Sequence, residues 1–243
     1  MISSRDNEKL KLVRKLHERR WREKLGLFVC EGEDLIHAAT AEPVELLVAG
    51  ENVEPALLAE VSTAAHPPRE IAIFRHADLP APEPRAAVLA LWRLSDPGNV
   101  GTLIRTADAF GAAVALSEGC ADPTGPKALR ASAGAIWRVP QLPFPGDRGY
   151  GPNGARVSSH KVEVRDVKHE RLQRIALSSR GGTPLPEVDL SSGATFLLGA
   201  EREGLPDEVE HDVEAWIPID AESLNVAAAG AIALYEWRRQ VGG

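Results

Sequence analysis

Three short segments in the second half of the chain carry the residue types for chemistry: DPGNVGTLIRTADAFGA at 96–112, FLLGAEREGLP at 196–206 and IPIDAESLNVAAAGAIALYE at 217–236. In each, an apolar run stops at Gly, Asn, Ser or a charged residue and a helix is expected to begin. In the first, Pro97 and Gly98 make a tight turn. Asn99 is expected to cap the following helix, with Arg105 nearly two turns further on. Both are expected to face the C-terminal edge of a sheet, where open α/β folds bind ligands. In the second, Gly199 at a strand end permits close approach of a ligand, and Glu201 just beyond it is placed to meet Arg105 or a ligand amine. In the third, Pro218 ends strand pairing, Ser223 is expected to be the helix N-cap, and Asn225 falls in the first helical turn among free N–H groups. Each junction alone also reads as plain structure: a cap, a polar turn, an Ala-rich core helix. Three in one α/β domain point to one pocket at one sheet edge.

Other chemistries find no support. The GxGxxG at 149–154 (GYGPNG) sits in the Gly-rich stretch and not directly between a strand and a helix, and GxxxxGK[ST], HExxH, CxxC and GxSxG are missing, so dinucleotide, P-loop, zinc and hydrolase-elbow sites are not expected. No metal is expected. Cys30 and Cys120 lack ligand spacing and read as buried, reduced thiols.

The elements that must position these junctions are legible from periodicity. Residues 5–23 read as one amphipathic helix with Leu10, Val13, Leu16 and Trp21 inward. Strands at 26–32, 44–50 and 71–74, with helices at 33–39 and 57–64, complete a small α/β unit. Three prolines in five residues make 79–85 a stiff linker. Beyond it, 87–94 is apolar enough to be covered on both faces. Helices at 98–110, 127–137 and 223–240 alternate with strands at 112–117, 139–144, 174–179, 195–199 and 215–219. The fold class is therefore α/β, with a mostly parallel sheet flanked by helices on both faces and a small N-terminal α/β domain. The division is 1–82 and 86–243. Residues 145–172 read as a loop plus part of a helix.

The 243 residues carry a net charge of −7, with no apolar run long enough to span a membrane and no secretory signal, so a cytoplasmic location and no membrane partner are expected. The charge is uneven. Residues 1–24 hold nine Lys or Arg against four acids, leaving −12 for the remainder. Such a basic stretch suits phosphate contacts on an acidic protein, with Arg5, Lys9, Arg14, Arg19 and Arg20 as candidates. A solvated helix face is the plain alternative.

The patterns N-x-G-x-x-x-R-x-A-x-A-F-G, G-x-E-x-x-G-L and I-P-x(6)-L-N occur in the order found in SpoU (TrmH-like) RNA 2′-O-ribose methyltransferases, and residues 86–240 resemble their catalytic domain. The segment 126–138 is also similar, and the first 80 residues resemble the substrate-binding domain often attached to it. The resemblance implies a deep trefoil knot, a homodimer with the last helix at its interface, a shared active site and S-adenosylmethionine (AdoMet) as cofactor. Carried over by motif, AdoMet contacts fall at Leu198, Gly199, Ile217, Ser223 and Leu224, with Gly204 shaping the loop and Thr183 a weaker candidate. The catalytic set is Asn99, Arg105, Glu201, Ser223 and Asn225. The family role of general base falls on Arg105, although a guanidinium ordinarily keeps its proton above pH ~12. Either the site changes that, or Arg105 holds an RNA phosphate that takes the proton. The expected partner is RNA, ribosomal rather than transfer RNA. Methylation of transfer-RNA ribose, a base- or protein-methylating knotted enzyme, a small-metabolite enzyme, or a catalytically silent RNA-binding protein of the same fold are the alternatives.

Overall fold

A computed structural model describes residues 1–145, 172–200 and 203–242. The expected loop and helix at 145–172 fall almost wholly outside the described residues.

The N-terminal helix is two helices, α1 (Glu8–Leu16) and α2 (Arg19–Leu25). Leu10, Val13 and Leu16 are buried as expected, and Asn7 caps α1 by accepting from the Lys9 N–H at 2.9 Å. The break at His17–Glu18 has a tertiary cause. Arg22 is only 4% exposed and donates to the carbonyls of Leu16 and His17, both at 2.8 Å, satisfying helix-end acceptors that a continuous helix would have paired. Trp21, expected inward, lies half-buried beneath Lys15, Arg20 and Lys24, whose charges sit 5.0–5.6 Å from the ring centroid.

Strands β1 (Leu27–Glu31), β2 (Glu45–Val48) and β3 (Glu70–Arg75), with helices α3 (Glu33–His37) and α4 (Pro55–Val61), form an antiparallel three-stranded sheet in the order β1-β3-β2. After the proline-rich segment come β4 (Ala87–Leu91), α5 (Pro97–Phe110), β5 (Ala113–Leu116), α6 (Pro126–Ser132), β6 (Gln141–Pro143), β7 (Gln173–Ser178), β8 (Thr183–Pro184), β9 (Ala194–Leu198), β10 (Val213–Trp216) and α7 (Val226–Gly242). Their seven strands pair only in parallel, in the order β6-β5-β4-β9-β7-β10-β8. Every residue of β4 and β9 is buried, as the unbroken apolar runs require of strands covered on both faces.

Three boundaries depart from expectation. The helix expected at 127–137 ends at Ser132, because Ala133 and Gly134 turn left-handed (φ 47° and 83°) before a 3₁₀ turn at Ala135–Trp137. The last strand ends at Trp216, before Ile217-Pro218. The last helix begins at Val226 rather than at 223.

One core runs through both sheets. Trp137 packs against Phe28 and Phe74, at 5.6 and 4.7 Å between centroids, and its indole N–H donates to the Leu35 carbonyl at 3.0 Å. Beside it lies a buried ion pair: Arg22 Nε and Nη2 reach Asp122 Oδ2 at 2.8 and 2.7 Å. Asp122 Oδ1 also accepts from the Thr124 N–H and hydroxyl. Burial pushes the Asp122 carboxyl up, but Arg22 and the Thr124 bonds outweigh it and hold it below the ordinary carboxylate range. Cys30 and Cys120 are buried free thiols, both pushed up by burial.

Candidate active site

Because all seven strands of the larger sheet are parallel, the loops after β4, β9, β7 and β10 emerge at one edge. In the strand order, β9, β7, β10 and β8 are neighbours, so the second and third junctions and the Gly181-Gly182-Thr183 turn share that edge. The first junction follows β4, which pairs with β9.

Asp96, not Asn99, caps α5, accepting from the Asn99 N–H at 2.9 Å. Pro97 occupies the first helical position, where its missing N–H loses nothing, and that fixes the cap one residue earlier. Lys127 of α6 donates to the other Asp96 oxygen at 2.8 Å, and this bond with the cap holds the carboxyl below its ordinary range. Asn99 therefore stands in the first turn with its side chain turned to the third junction: Asn225 Nδ2 donates to Asn99 Oδ1 at 3.2 Å. Asn225, not Ser223, caps α7, its Oδ1 accepting from the N–H groups of Ala227 (2.9 Å) and Ala228 (3.4 Å). One amide thus starts α7 and ties it to the start of α5. The close packing behind it needs Gly230, where a Cβ would stand 2.4 Å from Leu103 and 3.2 Å from Leu198.

Arg105 is exposed, and its side chain makes no hydrogen bond or ion pair among the described residues. Six residues of helix separate it from Asn99, about 9 Å of rise and ~120° of rotation. The two do not share a face, contrary to expectation. Glu201 lies outside the described residues.

Leu198 is buried at the end of β9, its carbonyl accepting from Trp92 N–H at 2.8 Å. Gly199 follows in a loop that folds back on itself. Gly204 N–H donates to the Ala200 carbonyl at 2.9 Å, and a Cβ on Gly199 would lie 2.3 Å from the Gly204 carbonyl carbon. Gly204 is left-handed (φ 68°). Ile217 and Leu224 are half-buried and Ser223 is exposed. Across 219–224, no backbone hydrogen bond occurs among the described residues. Glycine at 199 therefore lets this loop close on its own backbone, and across 219–224 the described backbone donors and acceptors stay unspent, which suits an adenosine-containing ligand held by main-chain groups.

The five basic candidates are divided. Arg5, Arg14 and Lys9 pair with Glu60 and Glu45 inside the small unit, and Arg20 pairs with Glu18. Only Arg19 reaches the larger sheet, donating to the Cys120 carbonyl at 3.2 Å while pairing with Glu23. The sequence reading missed Lys127, which steadies the first junction. Its sole signal was a Pro-Lys pair opening a helix.

Comparison with known proteins places the chain in a family. The SpoU rRNA methylase family matches residues 86–147 and 149–235, and an MRM3-like substrate-binding domain matches 7–74. The chain belongs to the SpoU rRNA methylase family. It is 32% identical over 262 residues to the 23S rRNA (guanosine(2553)-2′-O)-methyltransferase RlmP of Bacillus subtilis, covering 98% of each chain. Its fold matches the AdoMet-bound rRNA methyltransferase of Sinorhizobium meliloti with a TM-score of 0.79 at 26% identity, over 100% of this chain and 98% of that one. The SpoU methyltransferase AviRb of Streptomyces viridochromogenes, also solved with AdoMet, matches at a TM-score of 0.77 and 26% identity, over 96% and 98%. Among the described residues no helix is long and apolar enough to cross a membrane.

Proposed function

We propose that the protein transfers a methyl group from AdoMet to a ribose 2′-hydroxyl of structured RNA in the cytoplasm, with ribosomal RNA as its substrate. The observation that carries this reading is the Asn225–Asn99 contact, which joins the first and third junctions at the sheet edge beside the tightly closed Gly199–Gly204 loop. The relatives that span nearly the whole chain support the substrate class.

AdoMet supplies a methyl group already activated on a sulfonium. The protein's part is positioning and electrostatics. The backbone at Leu198, Gly199, Ile217, Ser223 and Leu224 holds the cofactor, with Gly204 shaping the loop and Thr183 at its margin. Asn99, Ser223 and Asn225 orient the hydroxyl, with Glu201 completing the set. Arg105 moves the proton, either directly or through an RNA phosphate that it holds.

Arg105 stands on another face of α5, so it serves a second copy of the chain more readily than its own Asn99. A homodimer through α7 fits this, since Ile232 and Tyr235 present exposed apolar surface one turn apart there. In this reading 1–82 grips RNA, 86–243 is catalytic, and the C-terminal part carries a deep trefoil knot.

Titration calorimetry with AdoMet tests the cofactor site, wild type beside Gly199→Trp. Binding by the wild type and its loss in the variant are expected. Methyl transfer from tritiated AdoMet to unmodified 23S rRNA, abolished in Arg105→Ala, tests the reaction. A folded wild-type protein that binds RNA but never AdoMet would instead be a silent RNA-binding member of the fold.

A further inference from the structure

A cleft of about 520 Å³ lies between the two units, lined by Arg19 of α2, Trp92 and Arg93 after β4, and Glu118 and Gly119 after β5. None of the motifs accounts for it. It opens at the same sheet edge as the active site, and Arg93 precedes the α5 cap Asp96 by three residues.

Arg93 is held there in an unusual way. Its φ is 50°, left-handed and uncommon for a residue with a side chain, where glycine would carry no strain. The Ser117 hydroxyl accepts from its N–H at 2.9 Å and fixes the turn. Its guanidinium stem crosses Gly119, where a Cβ would lie 3.2 Å from Nε. Among the described residues Arg93 forms no ion pair and no side-chain hydrogen bond. Arg19 lines the same cleft from α2, anchored through Nε to Glu23 and through Nη1 to the Cys120 carbonyl, and its Nη2 makes no hydrogen bond among the described residues. Trp92 also lines the cleft, half-buried, its ring packed on Phe144 at 5.2 Å. The buried Arg22–Asp122 pair ties α2 to the loop after β5 beside the cleft, since Asp122 is two residues from Cys120 and Arg22 one turn from Arg19.

We propose that this cleft binds one unpaired nucleotide of the RNA substrate, its phosphate between Arg19 and Arg93 and its base against Trp92. The proposal rests on the reading of the protein as an RNA methyltransferase. Guanidinium pairs suit phosphate because their fork of donors matches its oxygens. An indole beside them offers a stacking surface to any base. The volume is that of a small-ligand site rather than of a duplex groove. Glu118 on the rim has the opposite sign to the arginines. It repels a second phosphate, and so limits the cleft to a single nucleotide. Six residues of chain reach from Arg93 to Asn99, at most about 20 Å, so the bound nucleotide lies within a few positions of the methylated one.

The test uses the full chain and a fluorescein-labelled single-stranded 12-mer RNA of mixed sequence, by fluorescence anisotropy from 50 to 300 mM salt. Arg93→Gly removes the guanidinium and relieves the backbone at once. Loss of one phosphate contact lowers affinity roughly fivefold near physiological salt and reduces the salt slope by about one. Arg19→Ala is expected to do the same, Glu118→Gln to tighten binding, and Arg138→Ala, paired with Asp108 at the end of α5 opposite the Asp96 cap, to change nothing. AdoMet affinity, measured separately, reports whether the cofactor reading holds; its failure leaves the RNA result standing. Wild-type affinity and slope in Arg93→Gly overturn the proposal. So does a Glu118→Gln variant that binds no tighter, or a wild-type protein that does not bind the 12-mer.

Discussion

Removing Asp122 should loosen the joint between the two units by an amount the structure lets one work out. Asp122 Oδ2 receives two bonds from Arg22, and Oδ1 receives two from Thr124. Asp122→Ala leaves a guanidinium that is almost fully buried with only the Leu16 and His17 carbonyls. Breaking a buried pair from one side costs about 3–5 kcal/mol, because the surviving charge has no counter-ion. For a chain of this length 1 kcal/mol moves Tm by roughly 2–4 °C, so a fall of about 6–20 °C is expected. The assay is thermal unfolding followed in the near-ultraviolet, where Trp137 at the joint reports, with hydrogen exchange to locate the opening at 8–31. A double-mutant cycle completes it. Arg22→Met with Asp122→Leu should lie far closer to wild type than the single-mutant losses predict, since neither charge is then stranded. A fall below about 2 °C in Asp122→Ala, or a coupling energy under roughly 0.5 kcal/mol, would refute the view that this pair holds the units together.

Gly101→Ala is expected to destabilise by about 1–3 kcal/mol, because its Cβ would stand 2.3 Å from the backbone oxygen of Ala128 in α6; unchanged chemical denaturation would contradict that packing. Asn225→Ala should cost about 1 kcal/mol through loss of the α7 cap and should also lose methyl transfer, whereas Asn225→Asp keeps the cap and loses the donor to Asn99. Equal activity in Asn225→Asp and wild type would remove that contact from the mechanism. Burial lowers the pKa of His76 below 6.5, with Asp122 opposing and Arg22 adding to the effect. In the window below 6.5 the unfolded chain therefore binds more protons than the folded one, so the contribution of His76 is full above about pH 6.5 and is lost as pH falls through its folded value. Asp122, also depressed, contributes above about pH 4 and is lost further into acid. Tm measured from pH 8 to 5 should fall, and less steeply in His76→Gln; a rise on acidification would disprove this.

Local conformation was legible in the sequence, and long-range pairing was not. The apolar runs of β4 and β9 announced a doubly covered parallel sheet, and Gly199 and Pro218 marked where its strands stop, because these residues encode backbone geometry by themselves. Cap positions missed by two and three residues where two good caps compete. Pro97 could have settled Asp96 over Asn99; nothing local separates Ser223 from Asn225. The break between α1 and α2 carries no Gly or Pro. It exists because Arg22, which reads as one more surface charge in a basic run, turns inward to a carboxylate 100 residues away.

That burial changes the meaning of the basic N-terminus. Of nine cations in 1–24, Arg22 is spent on architecture, and Arg5, Lys9, Arg14 and Arg20 are each paired with an acid. Exposed pairs of this kind are worth little and exchange readily for phosphate, so they give RNA attraction without direction. Direction requires a cation fixed relative to the catalytic edge. Arg19 has that property only because Arg22, one turn along the same helix, is locked to the loop that carries Asp122. The charge count and the rigid joint are thus parts of one device: the first draws RNA to the protein, and the second sets where its backbone lies with respect to Asn99 and Asn225.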